Sequence, residues 1–171
     1  MVNKKLLSAL KLAYEAEKQG LKTYLKYAKE TNVGAGKNMF IQLALDEVDH
    51  MELIEKFSAD IADGKPFYKL DVPLSRIEKF QPDIDSATFS KLDAATLSDE
   101  EALKVALEHE KNAENMYEKL AEDETNPEVK AFFEDMAKVE EKHYQIILAE
   151  LNFMRSEGFW FDTTEFSVEA N

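Results

Sequence analysis

Two short motifs of the sequence combine a carboxylate with an imidazole at helical spacing. Glu47 and His50 are three residues apart in EVDH, and Glu140 and His143 are three residues apart in EEKH. Residues at this spacing lie on the same face of a helix, so each pair could offer one oxygen and one nitrogen to a single metal ion. Such ligands suit iron or manganese, with zinc as a competitor. The motifs therefore predict transition-metal chemistry.

Each motif is preceded along the chain by a glutamate on an otherwise apolar helix face. The stretch ALKLAYEAEK contains Glu17, and ALKVALEHEK contains Glu110, with seven of ten letters identical. The 93 positions between these two glutamates also separate the two Glu-x-x-His motifs (110 − 17 = 140 − 47 = 93). The chain therefore consists of two copies of one unit.

Closing the two units into one bundle would bring four carboxylates and two imidazoles to the same depth. A buried, unpaired carboxylate costs several kcal/mol, and four together would repel one another. Four carboxylates carry a charge of −4, which two divalent cations balance. The pattern thus predicts a site for two metal ions, although a bundle that kept the repeat and lost the metal is an alternative. The predicted ligands are Glu17, Glu47, His50, Glu110, Glu140 and His143.

The elements that must position these ligands are four helices, because apolar residues recur at intervals of three and four. The stripe of the first helix is Leu6, Leu10, Ala13, Glu17, Leu21, Tyr24 and Ala28. The stripes of the other three run from Phe40 to Ile61, from Leu103 to Leu120 and from Phe133 to Met154. The predicted turn and cap signals are Thr31–Gly36, Ser98 with Glu101, Asn126–Pro127 and Gly158.

A long segment, residues 64–98, connects the two units and holds three of the four prolines. It is long enough to run the length of the bundle, so the predicted fold is an all-α, ferritin-like four-helix bundle with a single long crossover. We expect one domain made of hairpin repeat 5–61, the crossover, hairpin repeat 98–157 and a tail at 158–171. Aromatic residues predict packing of the crossover and tail: Phe67, Tyr68, Phe80, Phe89, Phe159, Trp160 and Phe161.

The composition narrows the classes of function. A net charge of −14 argues against a nucleic-acid partner, because phosphate binding needs a basic surface. The absence of cysteine excludes disulfides and thiolate-ligated metal within these 171 residues. The charged start of the chain does not fit a secretion signal, and no apolar run reaches the ~20 residues of a membrane span. We expect a soluble cytoplasmic protein with no membrane partner.

The order Glu … Glu-x-x-His … Glu … Glu-x-x-His resembles that of the ferritin-like di-iron carboxylate proteins, most closely the rubrerythrin family. The similarity covers about residues 5–60 and 98–156 and includes EKQGLKTYLKYA, EVDH, EKNAENMYEKLA and EEKH. It implies that the six residues above bind two metal ions, most often iron, and that Glu47 and Glu140 bridge them. It also implies that Tyr24 and Tyr117 hydrogen-bond to ligand carboxylates, with simple core packing as the alternative.

Two features depart from the pattern of that family. Rubrerythrins usually carry a rubredoxin domain as electron donor, and these 171 residues contain no cysteine to build one. Many also have an extra glutamate three positions after the ligand of the third helix, where this chain has Ala113. Glu114 is therefore an additional candidate ligand, whereas His109 is expected to point away from the site.

The resemblance implies a di-iron oxidoreductase that reduces hydrogen peroxide or dioxygen with electrons from an external donor protein. A second hypothesis is ferritin-like oxidation and storage of Fe(II), which needs a cage of many subunits. A third is a metal-binding bundle, holding zinc for example, without redox activity. A homodimer or a higher homo-oligomer is the expected assembly.

Overall fold

The chain folds into four long helices. The computed structural model describes residues 4–77 and 97–157, and within these ranges it contains no strand. No helix in the same ranges has an apolar stretch long enough to cross a membrane. The helices are α1 (Lys4–Glu30), α2 (Gly34–Ala62), α3 (Leu97–Glu122) and α4 (Pro127–Glu157).

The buried face of α1 follows the predicted spacing with one difference. Its buried residues are Leu6, Leu10, Ala13, Glu17, Gly20, Tyr24 and Ala28. Gly20 thus takes the position that the sequence pattern assigns to Leu21, which is only partly buried. The reason is space, because a Cβ atom at position 20 would lie only 2.8 Å from Oε1 of Glu47 on the neighbouring helix.

The turn between α1 and α2 is shorter than predicted. The prediction of a turn over Thr31–Gly36 is wrong in its second half, since α2 already begins at Gly34. The amide of Lys37 donates to the carbonyl of Val33 at 3.0 Å and closes the first helical turn. Glycine is tolerated there because the first turn depends less on helix propensity than the helix interior does.

The caps of the second hairpin are partly as predicted. The side-chain Oδ1 of Asn126 accepts hydrogen bonds from the amides of Glu128 and Val129 at 3.0 and 3.1 Å, which confirms it as the N-cap of α4. Helix α3, however, begins at Leu97, so Ser98 lies inside its first turn rather than at the predicted capping position. The predicted stop at Gly158 lies outside the described residues.

Two apolar clusters fill the bundle, one toward each end. The first includes Leu10 of α1, Ile54 of α2, Tyr117 of α3 and Phe133 of α4. The second includes Tyr24 of α1, Phe40 of α2, Leu103 of α3 and Ile147 of α4. Helix α2 therefore ends beside the first cluster, whereas α3 begins beside the second. The connection must traverse the bundle, which is the single long crossover of the ferritin-like fold.

The described part of the crossover already extends from the first apolar cluster to the second. Leu70 packs into the first cluster and Ile77 into the second. Residues 70–77 thus run along the bundle, past the layer that separates the clusters. The predicted packing of the crossover aromatics holds for Tyr68, whose ring meets that of Phe57 edge-on at 6.2 Å.

The predicted packing is wrong for Phe67. Phe67 is 37% exposed. Phe80, Phe89 and the aromatic residues of the tail lie outside the described residues.

Candidate metal centre

All six predicted ligands lie in the layer between the two apolar clusters. Each sits near the middle of its helix, where the apolar stripe is interrupted by a polar residue. Each is also at most 2% exposed, so water screens none of their charges. The residues are Glu17 on α1, Glu47 and His50 on α2, Glu110 on α3, and Glu140 and His143 on α4.

Four of these residues form what we call the His50 group: Glu17, Glu47, His50 and Glu140. Each offers one ligand atom, and these atoms lie within 4.8 Å of one another. Nδ1 of His50 is 3.1 Å from Oε2 of Glu17 and 3.4 Å from an oxygen of Glu47. The same nitrogen is 3.4 Å from Oε1 of Glu140 on the other hairpin.

The matching set on the other side is the His143 group: Glu47, Glu110, Glu140 and His143. Nδ1 of His143 is 3.3 Å from Oε2 of Glu140 and 3.6 Å from Oε2 of Glu110. The two imidazole rings face each other with centroids 5.9 Å apart. Glu47 and Glu140 belong to both groups, which is the position that a bridging carboxylate must have.

Several donor atoms of this layer lack a hydrogen-bond partner among the described residues. In this layer, five buried side-chain atoms have no hydrogen bond among the described residues: Glu47 Oε2, Glu110 Oε2, both carboxylate oxygens of Glu140, and His143 Nδ1. A buried polar atom without a partner is costly, and several directed at one another are more so. Oxygen and imidazole donors in this number fit divalent iron, manganese or zinc. The arrangement could therefore hold metal.

Burial and crowding raise the pKa of two of the carboxyl groups. Burial raises the pKa of Glu47 well above its ordinary value, and the negative charge of Glu17 adds to the effect. Burial likewise raises the pKa of Glu140 to about 8, again with a contribution from Glu17. Both shifts favour the protonated form of these groups, and a bound cation would displace the proton.

The other two glutamates of the layer stay ionised. Burial alone would raise the pKa of Glu17, but hydrogen bonds from Glu47 and His50 outweigh it and lower the pKa to about 2. Burial also opposes ionisation of Glu110, where the charge of His143 outweighs it and lowers the pKa. Protons and imidazolium charge thus balance the negative charge of these carboxylates. Two bound cations would balance the same charge.

A tyrosine supports each of the ionised glutamates from the opposite hairpin. The hydroxyl of Tyr24 donates to Oε1 of Glu110, and that of Tyr117 donates to Oε1 of Glu17. Burial, together with the charge of the glutamate that each contacts, raises the pKa of both tyrosines well above the ordinary value. They therefore remain neutral donors, and the predicted hydrogen bonds to candidate ligands are present.

The structure also shows a contact that sequence reasoning missed. Asp46 is 2% exposed, and its Oδ2 lies 3.2 Å from Nε2 of His143. Ser75 of the crossover donates to the same carboxylate at 2.6 Å. The position of Asp46 directly before the predicted ligand Glu47 could have marked it as part of the site. No spacing rule, however, connects it with Ser75.

Two residues considered from the sequence lie outside both groups. Glu114 binds Lys111 at 2.7 Å and lines a groove of about 400 Å³ between α3 and α4, so the structure does not bring it to the predicted ligands. His109 is half-buried, and its ring meets that of Tyr24 edge-on at 5.8 Å. Ala113, at the position where the resemblance predicts a glutamate, is buried.

Comparison with known protein families agrees with this geometry. The family model described as Rubrerythrin matches residues 8–151, which is most of the chain. The protein therefore belongs to the rubrerythrin family, in which metal binding, typically of iron, is the rule. Comparison with curated proteins and with solved structures gives no match.

Proposed function

We propose that this rubrerythrin-family protein is a di-iron oxidoreductase that reduces hydrogen peroxide or dioxygen. The observation that supports the proposal best is the sharing of Glu47 and Glu140 between the two ligand groups. A carboxylate that belongs to both groups has one oxygen for each of two ions. Two iron ions held this close would supply two electrons to one oxidant, which is what conversion of one peroxide and two protons into two waters requires.

The assignment of ligands follows from the two groups. Glu17 and His50 would serve one ion, Glu110 and His143 would serve the other, and the two shared glutamates would bridge them. The four carboxylates carry −4 and two divalent ions carry +4, so the loaded site is neutral. Neutrality matters here because the apolar clusters above and below the layer leave no water to screen a residual charge.

The protein itself contributes position and proton control. Tyr24 and Tyr117 hold the non-bridging carboxylates in place, so these two groups need not reorganise when a cation arrives. The raised pKa of Glu140, about 8, means that metal binding near neutral pH releases a proton from the site. We therefore expect metal affinity to increase with pH.

Iron is the metal we propose, with manganese or zinc as competitors for the same oxygen and nitrogen ligands. Electrons would come from a separate donor protein, because these 171 residues contain no cysteine for an iron–thiolate centre. We further propose a homodimer or higher homo-oligomer, and neither a nucleic-acid nor a membrane partner. The acidic charge of −14 supports the exclusion of nucleic acid.

The decisive experiment is an anaerobic titration of metal-free protein with Fe(II), followed by addition of peroxide under a chemical reductant. We expect two iron ions per chain and turnover of peroxide by the loaded protein only. Binding of two ions without any reaction with peroxide or dioxygen would indicate a non-redox metal-binding bundle. A cage of many subunits in light scattering, together with uptake of many iron ions per chain, would indicate storage instead.

A further inference from the structure

The candidate centre is less symmetric than the repeat that builds it. Nε2 of His143, the ring nitrogen remote from the predicted ligands, lies 3.2 Å from Oδ2 of Asp46 and 3.0 Å from Oγ of Ser75. Asp46 and Ser75 are 2% and 1% exposed, so this carboxylate–serine–histidine contact lies in the protein interior. A charge-assisted hydrogen bond is strong in such surroundings.

The crossover also holds the Asp46 carboxylate in place. Besides the 2.6 Å bond from Ser75, the amide of Arg76 donates to both oxygens of Asp46 at 3.0 and 3.1 Å. The guanidinium of Arg76 in turn pairs with Asp49, one turn further along α2, at 2.6 Å. These contacts fix the position of the carboxylate.

This arrangement determines which ring nitrogen of His143 carries the hydrogen. The hydroxyl hydrogen of Ser75 is used toward Asp46, so the serine oxygen and the carboxylate both act as acceptors facing Nε2. Nε2 must therefore carry a hydrogen. A neutral imidazole then has its lone pair on Nδ1, which faces Glu110 and Glu140 and is the nitrogen needed for metal binding.

Within the described residues, the other half of the repeat shows no matching contact to its histidine. The residue 93 positions after Asp46 is Val139, which cannot accept a hydrogen bond (46 + 93 = 139). In residues 4–77 and 97–157, the polar contacts of His50 all involve Nδ1, at Glu17, Glu47 and Glu140. The two histidines therefore differ in what holds and polarises them.

We propose that Asp46 is a positioning residue for His143 and that it makes the two metal positions unequal, so that the first ion enters the His143 group. The inference rests on the proposed function, since it requires that both groups bind metal. A carboxylate on the remote nitrogen orients the ring and makes the ligating nitrogen more basic. The crossover thus contributes to metal affinity through its contacts with Asp46, without itself touching an ion.

The test uses Co(II) as the probe, added to metal-free protein under anaerobic conditions and followed by calorimetry and visible absorption. We expect two separable binding steps for the unmodified protein. Asp46→Asn keeps the size of the side chain and should weaken the tighter step by ~10–100-fold while it leaves the weaker step unchanged. The matched control is Asp135→Asn, a surface aspartate paired with Lys138, which should change neither step.

Two background variants locate the effect. In His50→Ala protein, Asp46→Asn should weaken the remaining high-affinity ion, whereas in His143→Ala protein it should have no effect on the remaining ion. Equal weakening in both backgrounds would show a general structural role and overturn the inference. Unchanged affinity in both would overturn it as well.

Folding and the broader proposal are checked separately. Should Asp46→Asn fail to give the helical circular dichroism of the parent, Ser75→Ala replaces it and should weaken the same step by a smaller factor. Two Co(II) ions bound with equal affinity by the unmodified protein would overturn the inference alone. Fewer than two Co(II) ions per chain would overturn the two-metal proposal itself.

Discussion

At the scale of single residues, Glu47 shows why this interior needs cations. The side chain is 1% exposed, its pKa is raised by burial and by Glu17, and its Oε2 has no hydrogen-bond partner in the described residues. A side chain in this position is stable only when a proton or an ion neutralises it. Because Glu47 belongs to both ligand groups, its loss should affect both ions.

We therefore expect Glu47→Ala to abolish two-metal occupancy, leaving at most one ion per chain. The same holds for Glu140→Ala, since that carboxylate is also common to both groups. Elemental analysis after dialysis against Fe(II) or Co(II) measures the stoichiometry. Glu15→Ala, at an exposed position on α1, is the matched control and should retain two ions. Two ions per chain in Glu47→Ala would show that it is not a bridge.

At the scale of elements, the approach of α1 to its neighbours depends on Gly20. An ideal Cβ there would lie 2.8 Å from Oε1 of Glu47 and 2.4 Å from Nε2 of His109. Neither distance allows normal contact, so both side chains would have to move. Glycine in the middle of a helix costs about 1 kcal/mol relative to alanine, which indicates that the close approach outweighs helix propensity here.

Gly20→Ala should consequently weaken metal binding while changing the stability of the metal-free protein by less than about 1 kcal/mol. The gain in helix propensity offsets part of the steric cost, and the displaced side chains are those of the Glu47 ligand and His109. Calorimetric titration with Co(II) and urea unfolding measure the two quantities. Gly34→Ala, which meets nothing within 4 Å, is the control and should leave affinity unchanged. Parent-like affinity in Gly20→Ala would contradict this account.

The helices and the crossover also show which structural features could be predicted from the sequence. The four helices and the grouping of the six candidate ligands followed from apolar spacing and the internal repeat, because both depend on local periodicity. Gly20 was missed because periodicity cannot distinguish it from Leu21 one position later. The contact between Asp46 and Ser75 was missed because the crossover has no period, and its partners are 29 residues apart.

At the scale of the whole molecule, the polar layer controls stability through pH. For the metal-free protein, the pKa of Glu140 is about 8 in the folded state and ~4.3 when unfolded. A group with a raised pKa contributes stability below its unfolded value and loses it as the pH rises to the folded value. Glu47 and His143 are shifted in the same direction.

We therefore expect the melting temperature of metal-free protein to fall between pH 5 and pH 8. Glu17, whose pKa is lowered to about 2, loses its contribution only as the pH falls below that window, so it does not reverse the trend. Thermal unfolding with a chelator present, monitored by circular dichroism, measures the effect. Saturation with Co(II) should remove the decline, because cations replace the protons. A constant melting temperature without metal would argue against a shared buried cluster.

The reciprocal sharing of Glu47 and Glu140 also has a mechanical meaning. Each hairpin gives three side chains to its own group and lends one carboxylate to the other, so neither hairpin can assemble a full ligand set alone. Ions in this layer would cross-link the two hairpins, because each ion would have ligands from both. Loss of the ions would first weaken the contact between the two hairpins, whereas the individual helices would remain folded.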